Sequence, residues 1–177
     1  MKIKKEFLIW LAGFVDGDGC IFITLREQKT KHSYLAINAA INVTQRDDYG
    51  WICDYVKDNL GMGKVYYANK GKGPSGKSYW QTTRMEDTIK VLTLLKPFLV
   101  IKKIQAEKAI KCLGYWINTR QNFGLRGQGL KTRKRKDVLE IVRVATSLNS
   151  NMRNSSRHRG YKDYNYWKPL IEQWYPE

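Results

Sequence analysis

Apolar positions divide the chain into elements before any chemistry is considered. From Glu6 to Gly17 the run EFLIWLAGFVDG is apolar nearly all round, which predicts a helix buried on every side. In a small domain such a helix has one face on its own sheet and the other on a partner. Residues 20–26 then alternate, with Ile21, Ile23 and Leu25 on one face and Phe22, Thr24 and Arg26 on the other. After a polar connection at 27–33, residues 34–44 alternate in the same sense. Leu35, Ile37, Ala39, Ile41 and Val43 point to a core, and Tyr34, Ala36, Asn38, Ala40 and Asn42 point away. An amphipathic helix follows near 47–59, with Trp51, Ile52, Tyr55 and Val56 inward, and stops at Gly61 or Gly63. Strands at 64–68 and 79–83 enclose a Gly-rich basic loop and make a second hairpin. Helices are predicted near 86–95, 101–118 and 134–148, then a polar, Arg-rich stretch at 150–160 and an aromatic end from Tyr161 to Tyr175. The order α-β-β-α-β-β-α, with further helices, predicts an α+β fold.

Charge changes that picture from a generic domain to one with a polyanionic partner. The 177 residues include 32 Lys+Arg against 16 Asp+Glu, a net charge of +16, and are 42% hydrophobic and 12% aromatic. That is enough apolar matter for a core, so disorder is excluded, and the charge calls for nucleic acid or an anionic surface. No segment reaches the ~20 apolar residues of a membrane span, and no cleavage site follows the first apolar run, so the expectation is an intracellular protein with no membrane partner. Cys20, Cys53 and Cys112 are too far apart for a zinc pattern and odd in number, which suggests reduced thiols. Only His32 and His158 are present, which argues against histidine-based catalysis.

The most specific signal is Leu11-Ala12-Gly13-Phe14-Val15-Asp16-Gly17-Asp18-Gly19. It resembles the LAGLIDADG motif, and the likeness to single-motif homing endonucleases continues through KEFL before it, VTQ at 43–45 and PFL-x-x-K at 97–102. Gly13 and Gly17, four apart, lie on one helical face and let two helix backbones approach closely. The resemblance implies a homodimer in which these helices pack together through Leu8, Leu11, Ala12, Gly13, Asp16 and Gly17. It also implies an αββαββα core with a saddle-shaped antiparallel sheet over double-stranded DNA and extra C-terminal helices. Asp18 then lies near its symmetry mate, where two carboxylates repel unless a cation separates them. Hard oxygen ligands suit Mg²⁺, with Mn²⁺ able to substitute. By resemblance Asp18 is the metal ligand, the Gly17 carbonyl lies close to the metal, Gln45 orders water around it, and Lys102 stands beside the scissile phosphate. Asp16 is expected to cap backbone groups. Some relatives carry an Arg four positions after the Gln; here that position is Tyr49, and Arg46 is the candidate substitute. The implied activity is metal-dependent cleavage of a long pseudo-palindromic site across the minor groove, leaving short 3′ overhangs, in the service of intron homing by a free-standing protein.

The outward strand positions form the expected reading surface, since a two-stranded ribbon fits the major groove. Candidates are Phe22, Thr24, Arg26, Gln28, Asn38 and Asn42 on the first hairpin, and Tyr66, Lys77, Tyr79 and Gln81 on the second. Lys72, Lys134, Arg135 and Arg153 are expected phosphate contacts, alongside the wider Lys131–Lys136 run and Arg157 and Arg159. Gly71 to Ser78 fits the P-loop pattern, but a strand-like segment follows where that loop needs a helix, so no nucleotide cofactor is expected. Residues 1–150 are expected to form the endonuclease core, with 151–177 a basic loop and aromatic extension packed on the same domain. An intron-RNA maturase on the same scaffold and a catalytically silent DNA-binding regulator remain as alternatives.

Overall fold

A computed structural model describes residues 3–29, 33–68, 76–119, 133–148 and 162–175. Helix α1 spans Lys5–Asp18, followed by strands β1 (Gly19–Gln28) and β2 (Tyr34–Arg46). One 3-10 turn at Asp47–Tyr49 leads into α2 (Trp51–Leu60), then β3 (Lys64–Ala68) and β4 (Lys77–Gln81). Helices α3 (Met85–Leu95), α4 (Lys103–Asn118), α5 (Arg135–Leu148) and α6 (Tyr164–Trp174) complete the described chain. The four strands form one sheet in the order β1-β2-β4-β3, with β4 antiparallel to both β2 and β3. The fold is α+β, as the alternation of strand and helix patterns predicts. Among the described residues no helix is long and apolar enough to cross a membrane.

The chain forms two compact units, one of residues 1–22 and 39–110, the other of residues 23–38 and 111–177. In the first, α1 buries Phe7, Leu8, Leu11, Ala12 and Val15, and β2 and β4 bury Ile41, Val43 and Trp80. The α2 turn into β3 requires glycine twice. Gly61 ends the helix at φ +66°, a left-handed position that side chains disfavour. Gly63, at φ +83°, has no room for a Cβ because the Trp80 indole lies within van der Waals contact, its Nε1 donating to the Met62 carbonyl at 2.9 Å. In the second unit α5 packs on α6, and Trp116, Val138, Ile141, Trp167, Ile171 and Tyr175 are buried.

Four expectations need correction. The inward face of α2 is Cys53, Val56 and Leu60, whereas Trp51 and Tyr55 are exposed. The helix proper starts at residue 51, after the 3-10 turn, and an i, i+3, i+7 stripe from Cys53 then faces the sheet. Ala40, expected to point away, has no accessible surface, because a single methyl lies below its larger neighbours. The second strand of the second hairpin is Lys77–Gln81, two residues earlier than predicted. Thr82, past its end, is buried and gives its N–H to the Ile41 carbonyl, while its Oγ1 accepts from the Ile41 N–H. The aromatic end contains a helix, α6, begun by Asp163, whose side chain accepts from the Tyr166 N–H and caps the first turn.

Candidate functional site

The end of α1 concentrates the unusual chemistry of the first unit. Asp16 and Asp18 are two residues apart on the last turn, so they project in different directions. Asp18 is exposed at the helix terminus. Asp16 is half-buried, and its carboxylate takes the three N–H groups that lead into α4. Oδ2 accepts from Val100 at 2.7 Å and Ile101 at 3.2 Å, and Oδ1 accepts from Lys102 at 2.8 Å. Desolvation works to raise the pKa of this carboxyl, but the bonds from Val100, Lys102 and Ile101, with the Lys102 charge, outweigh it and hold the group below its ordinary value. Asp16 therefore caps backbone groups, and does so across 84 to 86 residues of sequence.

Lys102 closes the same junction from the other side. Its Nζ donates to the carbonyls of Val15 at 2.9 Å and Asp16 at 2.6 Å, two of the last-turn carbonyls of α1. A helix C-terminus carries orphan carbonyls and partial negative charge, so an ammonium is stabilised there. Gln105, one turn into α4, donates to the Ile21 carbonyl at 2.8 Å and ties α4 to β1. Cys20 lies close enough to Lys102 to feel its charge; burial pushes the thiol up and the lysine partly offsets it.

The outer face of α1 differs from the expected contact set. Leu8, Leu11 and Ala12 point into the chain's own core and have almost no accessible surface, so they do not present a face to another molecule. The reason is helical geometry: residues 8, 11, 12 and 15 form one stripe, and the chain's own core takes it. The exposed stripe is Ile9, Gly13 and Gly17, flanked by Trp10. A Cβ added at Gly13 or Gly17 would meet nothing within 4 Å, so packing inside the chain gives no reason for glycine at either position. Beside the junction, Val100 is 83% and Ile101 76% exposed, and Ile104 follows on the first turn of α4. Two consecutive apolar residues between Leu99 and Lys102 were the available sequence signal for this patch.

Strand register places the candidate reading residues of the first unit in cross-strand rows. Asn42, Gln81 and Lys64 form one row, Thr44, Tyr79 and Tyr66 the next, and Arg46, Lys77 and Ala68 the third. Tyr66 stacks on Tyr79 with centroids 5.0 Å apart. These rows share a face and contain no carboxylate. Gln45 falls in the intervening row with Ser78 and Tyr67, on the side that buries Val43 and Trp80, and is half-buried. Arg46 is engaged with Asp48 at 2.8 Å, and Tyr49 is exposed. Phe22 is half-buried on β1. In the second unit Thr24 is half-buried, and Arg26, Gln28 and Asn38 are exposed.

The basic run sorts unevenly. Lys134 and Lys136 are exposed. Arg133 is buried, its Nη1 donating to the Trp116 carbonyl and to Thr119 Oγ1 at 2.7 Å, with its guanidinium 3.6 Å from the Trp116 ring centroid. Arg135 donates from Nε to the Tyr175 carbonyl at 2.7 Å, so it ties α5 to the end of α6 and is not the free phosphate clamp expected from sequence. Its partner is a backbone carbonyl that the C-terminal turn of α6 leaves unsatisfied. Lys72, Lys131, Arg153, Arg157 and Arg159 lie outside the described residues, as does most of the P-loop-like stretch. That stretch leads into strand β4, not into a helix.

Comparison with known proteins agrees with this arrangement. The chain is 32% identical over 112 residues to the DNA endonuclease I-CreI of Chlamydomonas reinhardtii, a match covering 63% of this chain and 65%, just under two thirds, of that protein. It is 27% identical over 155 residues to the DNA endonuclease I-CvuI of Chlorella vulgaris, covering 86% of this chain and 91% of that one. The crystal structure of I-CvuI in complex with the I-CreI target superposes with a TM-score of 0.74 at 20% identity, covering 96% of this chain and 94% of the other. The profile of the LAGLIDADG endonuclease family matches residues 11–111, which hold the C-terminal part of α1, the whole sheet and the Asp16–Lys102 junction, and the chain belongs to that family.

Proposed function

We propose that this chain is a site-specific DNA endonuclease that works as a homodimer and uses divalent metal ions, Mg²⁺ in the first instance, held at Asp18. The observation that carries the reading is Asp18 itself, an exposed carboxylate at the foot of a helix whose outward stripe is glycine and aliphatic. Among the described residues no group of three or more His, Cys, Asp or Glu side chains could hold a metal within one chain. A lone carboxylate and the Gly17 carbonyl are half of an oxygen donor set. A second copy supplies another Asp18, and DNA supplies phosphate oxygens, which together suit a hard cation. The exposed Ile9, Val100, Ile101 and Ile104 give that second copy an apolar surface to cover, with Gly13 and Gly17 allowing close approach.

DNA as substrate is supported by the net charge of +16 and by the carboxylate-free rows of Asn42, Thr44, Lys64, Tyr66, Lys77, Tyr79 and Gln81. The relatives named above are DNA endonucleases, and the I-CvuI crystals contained a DNA target with Mg²⁺. In the reaction a water oxygen bonds to phosphorus as the bond to the 3′ oxygen breaks. When bound, the metal would make that water more acidic and stabilise the departing oxygen. The Lys102 ammonium has three donors, of which two hold α1 carbonyls, and in this reading its charge stabilises the anionic phosphate. Gln45 orders water at the end of β2. The same reading includes a pseudo-palindromic target, 3′ overhangs and a role in intron homing.

The test begins with selection of bound and cleaved duplexes from a randomised library. Asp18→Asn should then lower cleavage of the selected duplex at least about 100-fold, with its affinity and the melting temperature unchanged. Cutting by the variant at the wild-type rate removes Asp18 from the metal site.

A further inference from the structure

Asp16 and Lys102 grip each other's backbone in opposite senses. The Asp16 carboxylate holds the N–H groups of residues 100, 101 and 102, and the Lys102 ammonium holds the carbonyls of Val15 and Asp16. The lysine stem, long enough to swing its charge by several ångströms, is therefore fixed at both its root and its tip. Both carboxylate oxygens of Asp16 are engaged, so the group cannot turn toward a metal without releasing the segment that carries Lys102. Asp18, two residues on, takes no part in the junction and stays exposed.

We propose that Asp16 is a positioning residue that fixes the Lys102 ammonium against the end of α1, and that it influences DNA cleavage only through Lys102. The kinetic part of this proposal rests on the nuclease reading above; the mechanical part does not. The closest rival role for Asp16 is that of a second metal-binding carboxylate of the motif, and the two roles predict different couplings.

A double-mutant cycle separates them. Asp16→Asn keeps the shape of the side chain and removes its charge; Lys102→Met keeps the stem and removes the ammonium. On a duplex recovered from the library, single-turnover cleavage by Asp16→Asn should fall about 10- to 100-fold, as expected when a reacting group is misplaced by about 1 Å. Its affinity for that duplex should change less than about twofold, because the reading face is untouched. Added to Lys102→Met, the same substitution should slow cleavage by less than about twofold more, since the lysine it would misplace is gone. Full multiplication of the two effects, or an Asp16→Asn variant rescued by raised Mg²⁺, overturns the proposal in favour of a direct metal role. Thermal unfolding without DNA or metal gives an independent reading of the latch. Each single substitution should lower Tm by a few degrees, and the double by clearly less than the sum; additive shifts overturn the latch. Asp16→Ser replaces Asp16→Asn in every arm should the latter not fold. If the wild-type protein cuts no selected duplex, the nuclease reading fails, while the Tm cycle still decides whether Asp16 and Lys102 act as one unit.

Discussion

Leu11 and Ile9 stand two residues apart on α1 and are both four-carbon aliphatic side chains, yet Leu11 has no accessible surface and Ile9 is 49% exposed. The same contrast runs along the helix. Leu8, Ala12 and Val15 join Leu11 inside, while Gly13, Gly17 and Asp18 line the outside with Ile9. The inner stripe is filled by the chain's own core, and its residues are judged by how well they fit. On the outer stripe a Cβ added at either glycine would meet nothing among the described residues, and the glycines keep that surface low. One helix therefore has two separable sides, one that serves stability and one that, in the proposed dimer, meets the second copy.

Substitutions can break that separation. Leu11→Ala should have the largest effect on folding, about 2–5 kcal/mol by chemical denaturation, because it leaves a cavity in a closed core. Gly13→Leu should leave the unfolding of the single chain within about 1 kcal/mol of wild type and shift sedimentation from dimer to monomer, since the added side chain occupies open space in one chain and the contact plane of two. A melting temperature lowered as far as in Leu11→Ala would show the outer stripe to be core after all. Gln81→Ala, on the exterior sheet row, should cost about 1–3 kcal/mol at one base pair and nothing at others, read by titrating single-base variants of the selected duplex. Lys134→Ala should have the smallest effect, weakening all sequences alike and lowering the slope of log affinity against log salt by about 1.

Much of this arrangement was legible in the sequence, and the failures have common causes. Period-two alternation identified the inner positions Ile21, Ile23, Leu35, Ile37, Ile41 and Val43, because a strand has only two faces and one is oily. The motif located Asp18 and suggested the capping role of Asp16, but not its partners, which lie more than eighty residues away. Alpha-helical periodicity failed where both faces are apolar. It could not say that Leu11 rather than Ile9 turns inward, nor that Trp51 and Tyr55 form exposed edge-on aromatic contacts instead of core. The basic run 131–136 was expected to meet phosphates, yet a guanidinium can also pack over an indole, and Arg133 does. Helix α6 escaped notice because aromatic density and Pro169 obscure its period, although Trp167 and Ile171 mark its inward face.

The hydroxyl of Tyr175 accepts the backbone N–H of Leu35 at 3.2 Å, across 140 positions of sequence. During synthesis the hairpin that begins β2 leaves the ribosome long before that tyrosine is made. At about 5–20 residues per second the delay is roughly 7–30 s, during which the Leu35 amide has only water or a transient partner. The second unit thus cannot reach its final bonding until nearly the whole described chain has been translated. This part of the structure therefore closes only once Tyr175 has been made.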